Sequence, residues 1–204
     1  MKRAYSVKNV MAARFRTIAT EGMWLESIGR PEFGGSWIIY GPPKNGKTSF
    51  AMMLARYLAG SYRVAYDSIE EGLSLSIKAA LDRAGMDEVG RRFVVLDKEG
   101  AEELAERLSR RCSPDVVIVD SVQFLGLKWS EYKMLKERFP HKLFVYVSHI
   151  EGTVPEGSVA KRIWRDSNVY FRVEGFRAFP TGRYGGGATI DIDEALADSY
   201  WGLK

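Results

Sequence analysis

Residues 41 to 48 read Gly41-Pro42-Pro43-Lys44-Asn45-Gly46-Lys47-Thr48 and fit the pattern G-x-x-x-x-G-K-[ST]. Glycines at these positions let successive backbone N–H groups converge on phosphate oxygens. Pro42 and Pro43 have no N–H to give, so the donors fall on Lys44 through Ser49. Lys47 then holds the β- and γ-phosphates as a point charge, and Thr48 offers its hydroxyl to Mg²⁺. The expected nucleotide-binding set is Gly41, Lys44, Asn45, Gly46, Lys47, Thr48 and Ser49, with ATP and Mg²⁺ as the implied cofactors. The alternative, a chance Gly-rich turn before a helix, has to explain why strand, loop and helix patterns all agree here.

A second segment bears a carboxylate. Val116-Val117-Ile118-Val119-Asp120 is a continuous apolar run ending in an acid. A strand buried on both faces looks like this, and its tip is where a carboxylate could hold the metal ion through water. The competing reading is an aspartate that merely opens the next turn with Ser121. A water-activating carboxylate is also needed, and Glu70 and Glu71 stand just past the run Val64-Ala65-Tyr66-Asp67-Ser68. Ser68 and Glu71 match S-x-x-E, which makes Glu71 a helix-capping residue and leaves Glu70 free for the nucleotide. Alternatively, both acids simply favour a helix N-terminus.

These residues need a scaffold that brings loop and strand ends together. Apolar, β-branched runs at 37–40, 64–68, 93–97, 116–120 and 143–148 alternate with helical patterns at 47–59, 71–84, 101–111 and 130–139. That alternation predicts a parallel α/β sheet, with chemistry at the carboxyl ends of its strands. In the first helix Phe50, Met53, Leu54, Tyr57 and Leu58 recur at helical spacing and make one buried face. From Val169 the pattern changes to runs at 169–173, 176–179 and 189–192 joined by Glu174-Gly175 and a Gly-rich turn, which reads as an antiparallel meander. Residues 1 to 30 carry Lys2, Arg3, Lys8, Arg14, Arg16 and Arg30 against Glu21 and Glu26, so they form a basic arm or a helix packed on the core, with one domain over 31–204.

Composition narrows the function classes. In 204 residues 46% are apolar, which excludes a disordered chain. The single cysteine, Cys112, excludes an internal disulfide and a multi-cysteine zinc site, and makes the reducing cytoplasm the expected compartment. No apolar run approaches the ~18–20 residues of a membrane span, so neither an anchor nor a signal peptide is expected. Thirty Lys and Arg against twenty-six Asp and Glu leave +4, compatible with a polyanionic partner without demanding one.

In this order the segments resemble the RecA-type P-loop ATPases, most of all the cores of the Sms/RadA recombination ATPases and the DnaB-type helicases. The likeness spans roughly residues 20 to 192. It rests on Gly41 to Thr48 as Walker A, Ser68-Ile69-Glu70-Glu71 after the second strand, Val116 to Asp120 with Ser121 as Walker B, Ser148-His149 ending the fifth strand, and Arg183-Tyr184-Gly185 in the late hairpin. The resemblance implies a RecA-like α/β fold, with the sensor strand between the P-loop and Walker B strands and a C-terminal antiparallel meander. It implies Lys47, Glu70, Asp120, Ser148, His149 and Arg183 as the catalytic set, with Glu70 as catalytic carboxylate and Ser148 and His149 sensing the γ-phosphate. His149 is equally explained as a satisfied polar residue at a strand end.

Arg183 corresponds to an arginine that relatives insert into a neighbouring subunit's site, where a guanidinium neutralises developing charge. The lysine usual two residues earlier is Thr181 here, and a solvated hairpin arginine is the other reading. The zinc-binding and protease-like domains of Sms/RadA and the primase-contacting domain of DnaB have no counterpart.

The loop 151–160 is similar in position to the family's DNA-binding loop, but Glu151 to Gly157 contains two acids and no base. Lys161, Arg162 and Arg165, around Trp164, suit phosphate contacts with one stacking ring, or else a solvated helix face with Ile163 and Trp164 turned inward. The stretch from Phe124 to Trp129 is apolar enough for a subunit contact. The leading expectation is an ATPase acting on single-stranded DNA as a ring or filament of identical subunits, in recombination, repair or replication. A nucleotide-dependent switch acting on a protein partner competes with it. A P-loop phosphotransferase fits less well, because the position of Glu70 suits water activation better than an acceptor site.

Overall fold

A computed structural model describes residues 4–202, so Lys2 and Arg3 of the basic N-terminal stretch lie outside the described residues. In chain order the elements are α1 (Val7–Ala12), α2 (Gly22–Ile28), β1 (Gly35–Tyr40), α3 (Lys47–Ala59), β2 (Val64–Ser68), α4 (Leu75–Arg83), a 3₁₀ segment (Met86–Arg92), β3 (Phe93–Leu96) and α5 (Ala101–Ser109). There follow β4 (Val116–Asp120), α6 (Val122–Leu125), α7 (Trp129–Arg138), β5 (Leu143–Ser148), β6 (Ile150–Glu151), β7 (Val154–Pro155), α8 (Ser158–Asp166), β8 (Val169–Glu174), β9 (Arg177–Gly182), β10 (Ile190–Asp191) and α9 (Glu194–Trp201).

The main sheet runs β10-β9-β8-β1-β5-β4-β2-β3. Strands β8, β1, β5, β4, β2 and β3 are parallel, and β9 and β10 close one side as the antiparallel meander. Strand β5 lies between β1 and β4. Register then does the positioning, because Tyr40 pairs with Ser148, Asp120 with Val147 and Ser68 with Asp120. The residues after these strands therefore emerge side by side at the carboxyl edge, where open α/β sheets place their ligands.

The strands read as unbroken apolar runs because both faces are covered. Trp37, Ile39, Tyr66, Ile118, Val145 and Val147 face one core together with α3 and α4. Ile38, Tyr40, Ala65, Val117, Val119, Phe144 and Tyr146 face the other with α5, α7 and α8. The alternation follows the period of two along each strand. On the first face Phe50 packs against Phe171 at 4.8 Å between ring centroids and is fully buried. Truncating it to alanine costs about 3–5 kcal/mol.

Several elements differ from the sequence reading. Helix α4 begins at Leu75 rather than near 71, because Ser74 is its N-cap, accepting from the Ile77 N–H at 3.3 Å. The Ser68 hydroxyl instead donates to the Gly72 carbonyl at 3.0 Å, so the Ser68/Glu71 capping box does not form. Helix α2 packs on the core through Trp24 and Ile28, with Trp24 stacked on Tyr57 at 5.1 Å, whereas α1 buries none of its residues. Part of the 151–160 stretch forms the small antiparallel pair β6–β7 instead of a plain loop. Of the apolar stretch after β4, Leu127 is buried and Leu125 and Trp129 pack on the core, leaving Phe124 exposed.

Candidate functional site

Strand β1 delivers the chain into the loop at Gly41, where a Cβ would sit 1.9 Å from the Val173 carbonyl oxygen. Only glycine permits this approach of β8. At the other end Gly46 takes a left-handed conformation (φ +98) and opens α3 without any side-chain cap. The first N–H groups of α3 are thus left for an anion, at the positive end of the helix dipole. Lys47 is buried and donates from Nζ to the Pro42 carbonyl at 2.8 Å. Burial lowers its pKa, while Asp120 and Glu70 act in the opposite direction.

Thr48 donates from Oγ1 to Asp120 Oδ2 at 3.2 Å, and the Tyr66 hydroxyl donates to the same oxygen. Burial raises the pKa of Asp120, with the Tyr66 hydrogen bond opposing it. The Tyr66 hydroxyl is itself pushed well up by burial and by the adjacent carboxylate. A desolvated carboxylate touching a P-loop threonine fits a divalent cation that also needs phosphate oxygens. Among the described residues no group of three or more His, Cys, Asp or Glu forms a self-contained metal site. Thr48 and Asp120, in contact at the cleft, are the residues that would hold Mg²⁺ beside bound phosphates.

The segment after β2 is tied to β4 by two bonds, from the Ile69 and Glu70 N–H groups to the Asp120 carbonyl at 2.8 and 3.0 Å. Glu70 Oε2 lies 3.5 Å from His149 Nε2, and Glu70, Glu71 and His149 line a cleft of about 430 Å³ with Lys44, Lys47, Thr48, Ser49 and Asp120. Glu71 accepts from Ser76 rather than capping a helix. The contact with His149, not a capping pattern, sets Glu70 apart. Ser148 is buried, donating to the His149 carbonyl and accepting from Gln123 Nε2, both at 2.8 Å, so its hydroxyl is engaged within the protein.

Three contributors were not foreseen. Gln123 joins the ends of three segments by bonding Ser148 Oγ, the His149 N–H (3.3 Å) and the Glu156 carbonyl (2.9 Å). No local pattern marks it, because its role exists only once β4, β5 and the β7–α8 turn meet. Tyr66 reads as an ordinary core aromatic in a strand. Phe176, at the tip of the β8–β9 turn, has φ +57 and faces the cleft. The Asn45 side chain accepts from the Gly175 N–H at 2.7 Å, and the Asn45 carbonyl accepts from the Phe176 N–H at 3.2 Å, so turn and P-loop are fastened together. Beyond Phe176 a second cleft of about 480 Å³ shares Ser49 and Phe176 with the first and adds Met53, Arg83, Ile192 and Asp193.

Four sequence-selected residues lie apart from this cluster. The Arg183 N–H donates to the Asn168 carbonyl at the far end of β9. Six strand residues separate it from the turn, on the order of 20 Å at about 3.4 Å each. Lys161, Arg162 and Arg165 lie on α8, whose Ala160 and Ile163 are buried. Lys161 pairs with Glu151 at 2.8 Å, and Arg162 sits 5.6 Å from the centroid of the Trp129 ring.

Among the described residues no helix is long and apolar enough to cross a membrane. No protein-family model matches the chain, and no curated protein does. Solved structures do. The chain is similar to the flagellar accessory protein FlaH from Methanocaldococcus jannaschii, at 18% identity over 78% of this chain and 83% of that one, with a TM-score of 0.53. It is also similar to a solved ATPase domain of another protein, at 14% identity over 79% of this chain and 82% of that one, with a TM-score of 0.54. Identities this low speak to the fold, which is the RecA-type P-loop fold: a mostly parallel sheet between helices with an antiparallel meander at one side.

Proposed function

We propose that this chain binds and hydrolyses ATP with Mg²⁺ and works as an oligomer on single-stranded DNA. The observation that carries the ATPase part of the reading is the convergence of the uncapped α3 N-terminus, Lys47, the Thr48–Asp120 contact and the Glu70–His149 pair in one cleft, while the oligomer and the DNA rest on the family resemblance. Phosphates suit the P-loop amides, and in accepting them Lys47 exchanges the Pro42 carbonyl for phosphate oxygens. The cleft beyond Phe176 has room for the nucleoside. Glu70 orients and deprotonates the attacking water, and His149 beside it registers whether the γ-phosphate is present. Bound Mg²⁺ would supply charge neutralisation for the phosphates.

Arg183, too far from its own P-loop to act there, would serve the site of a neighbouring copy. Lys161, Arg162 and Arg165 remain the expected DNA contacts, from their charge, the ring of Trp164 among them and their place after the loop 151–160. The pairing of Lys161 with Glu151 favours a second reading in one respect, because it removes one cation from the surface that should meet DNA. In that reading ATP switches the affinity for a protein partner with little turnover.

Steady-state ATP hydrolysis by the purified protein, with and without single-stranded DNA at two salt concentrations and with Lys47→Ala as blank, separates the two. Salt-sensitive stimulation is expected. Tight ATP binding with slow, DNA-indifferent turnover would replace the motor by the switch.

A further inference from the structure

The amino-terminal end of the sheet holds a cleft of about 240 Å³ lined by Arg63, Arg91, Arg92, Arg107, Arg110 and Arg111. These arginines come from four separate places: the turn before β2, the 3₁₀ segment before β3, the last turns of α5 and the loop before β4. Internal partners account for some of them. Arg63 lies 3.5 Å from Asp115, Arg107 holds Glu99, Arg110 pairs with Glu106 at 2.6 Å, and Arg92 donates to the Gly60 carbonyl. Arg91 and Arg111 are exposed and have no hydrogen-bonding or ion-pair partner among the described residues.

Gathering so many guanidinium groups with so few acids raises the free energy of the fold through self-repulsion, a cost that a polyanion removes. All six cations of the cleft are arginine and none is lysine. Their planar donor forks match phosphate oxygens in pairs, whereas an ammonium acts as a point charge. Beside them Val94 on the edge strand β3 is 43% exposed and Pro114 closes the cleft, an apolar surface of the kind a sugar or base can lie on. This cleft is at the opposite end of the strands from the P-loop, so ATP phosphates do not account for it.

We propose that this arginine cleft is a nucleic-acid-binding surface that takes the phosphodiester backbone of a strand. The proposal rests on the reading of the chain as a protein acting on nucleic acid, but not on ATP hydrolysis or on the basic face of α8. Arg91 and Arg111 supply free contacts, Arg110 can exchange the exposed Glu106 carboxylate for a phosphate, and the exposed Arg63 guanidinium lies only 3.5 Å from a half-buried Asp115.

The test is fluorescence anisotropy of a labelled oligothymidylate with the full chain, its Arg91→Gln/Arg111→Gln variant and its Lys161→Gln/Arg165→Gln variant, across a salt series. Unchanged far-UV circular dichroism and ATP binding establish that the variants are folded. The Arg91/Arg111 variant is expected to bind roughly 10- to 30-fold more weakly at about 0.1 M salt, with the slope of log K against log salt reduced by about 1.4, at about 0.7 per lost contact. If that variant keeps wild-type affinity and slope while the α8 variant loses both, this inference falls and the DNA reading stands. If the wild-type chain binds no oligonucleotide, both fall. If polyglutamate of matched charge binds as tightly as the oligonucleotide, an acidic protein segment replaces nucleic acid as the ligand.

Discussion

Strands β2, β4 and β5 end in Ser68, Asp120 and Ser148 at one edge of the sheet and are preceded by Arg63, Asp115 and Lys142 at the other, where Arg92 leads into the neighbouring β3. At the carboxyl edge the charges are mixed and spent on one another. Asp120 accepts from Thr48 and Tyr66, Glu70 faces His149, and the Asp120 carbonyl and Asn45 lock the surrounding loops. At the amino edge arginines dominate the cleft, and the side chains of two of them have no partner among the described residues. On the functions proposed above, the difference is between a site that would hold a small ligand in one geometry and a surface that would meet a long one loosely. Preorganisation serves the first, and excess charge serves the second.

The comparison breaks most sharply at Lys47. Lys47→Ala should lower ATP affinity by roughly 100-fold or more, since it deletes a buried cation facing the phosphates. It should leave oligonucleotide binding at the amino edge nearly intact. Calorimetry with ATP and anisotropy with the oligonucleotide on one preparation check both halves, and equal losses in the two assays would mean that the ends are not separate sites. Glu70→Gln comes next: nucleotide binding should persist while turnover drops by about 10²–10⁴, the usual share of a general base. Normal turnover would take Glu70 out of the mechanism. Mixed with Glu70→Gln, an inactive Arg183→Ala subunit should regain turnover if Arg183 acts across an interface, and failure in assembled mixtures counts against that role.

The carboxyl edge was far more legible in the sequence than the amino edge. Gly41 to Thr48 and the run into Asp120 announce themselves because phosphate binding imposes residue types at fixed local spacing, and parallel strands leave unbroken apolar runs. Strands β2, β4 and β5 match their apolar runs end to end. The Ser68/Glu71 pattern misled, because Ser74, three residues before Ile77, is the better-placed cap and Ser68 is consumed at the strand end. Gln123 and the arginine cleft were invisible for a common reason. Their partners come from segments tens of residues apart, and no periodicity records which strand starts will lie side by side. Arg91-Arg92 and Arg110-Arg111 come to the same cleft only because β3 and β4 bring their lead-in segments to one end of the sheet.

A smaller effect is expected at Gln123, which joins β5 to the β7–α8 turn without touching the cleft. Gln123→Ala should leave ATP affinity unchanged and reduce turnover by roughly fivefold, the value of about 1 kcal/mol of hydrogen bonding. It should also speed amide exchange in residues 150–157. Unchanged exchange with lowered turnover would mean that Gln123 acts on His149 alone, leaving the carboxyl edge uncoupled from α8.

The two ends meet physically at Asp67. Its side chain is fully buried, with Oδ1 accepting from the Glu99 N–H at 3.1 Å while Glu99 in turn holds Arg107 of the arginine cleft. Oδ2 has no hydrogen-bond partner among the described residues, and burial, helped by the Glu99 charge, pushes the carboxyl up to about 7 against the Glu99 and Lys98 backbone amides and Arg107. A raised folded-state pKa means that the fold prefers the protonated acid. The stabilisation is therefore complete below about pH 4 and is lost as pH rises through about 7, by an amount on the order of a few kcal/mol at most. Denaturant unfolding of wild type and Asp67→Asn at several pH values isolates this group, because other ionisations cancel in the difference. The variant should gain stability relative to wild type between pH 5 and 8, and parallel curves would show that Asp67 does not titrate there. A ligand at the amino edge that draws Arg107 away from Glu99 would weaken the counter-charge of Arg107, leave the Glu99 charge unpaired and raise the Asp67 carboxyl further. The shift of that midpoint with oligonucleotide bound would then measure how strongly the two ends are coupled.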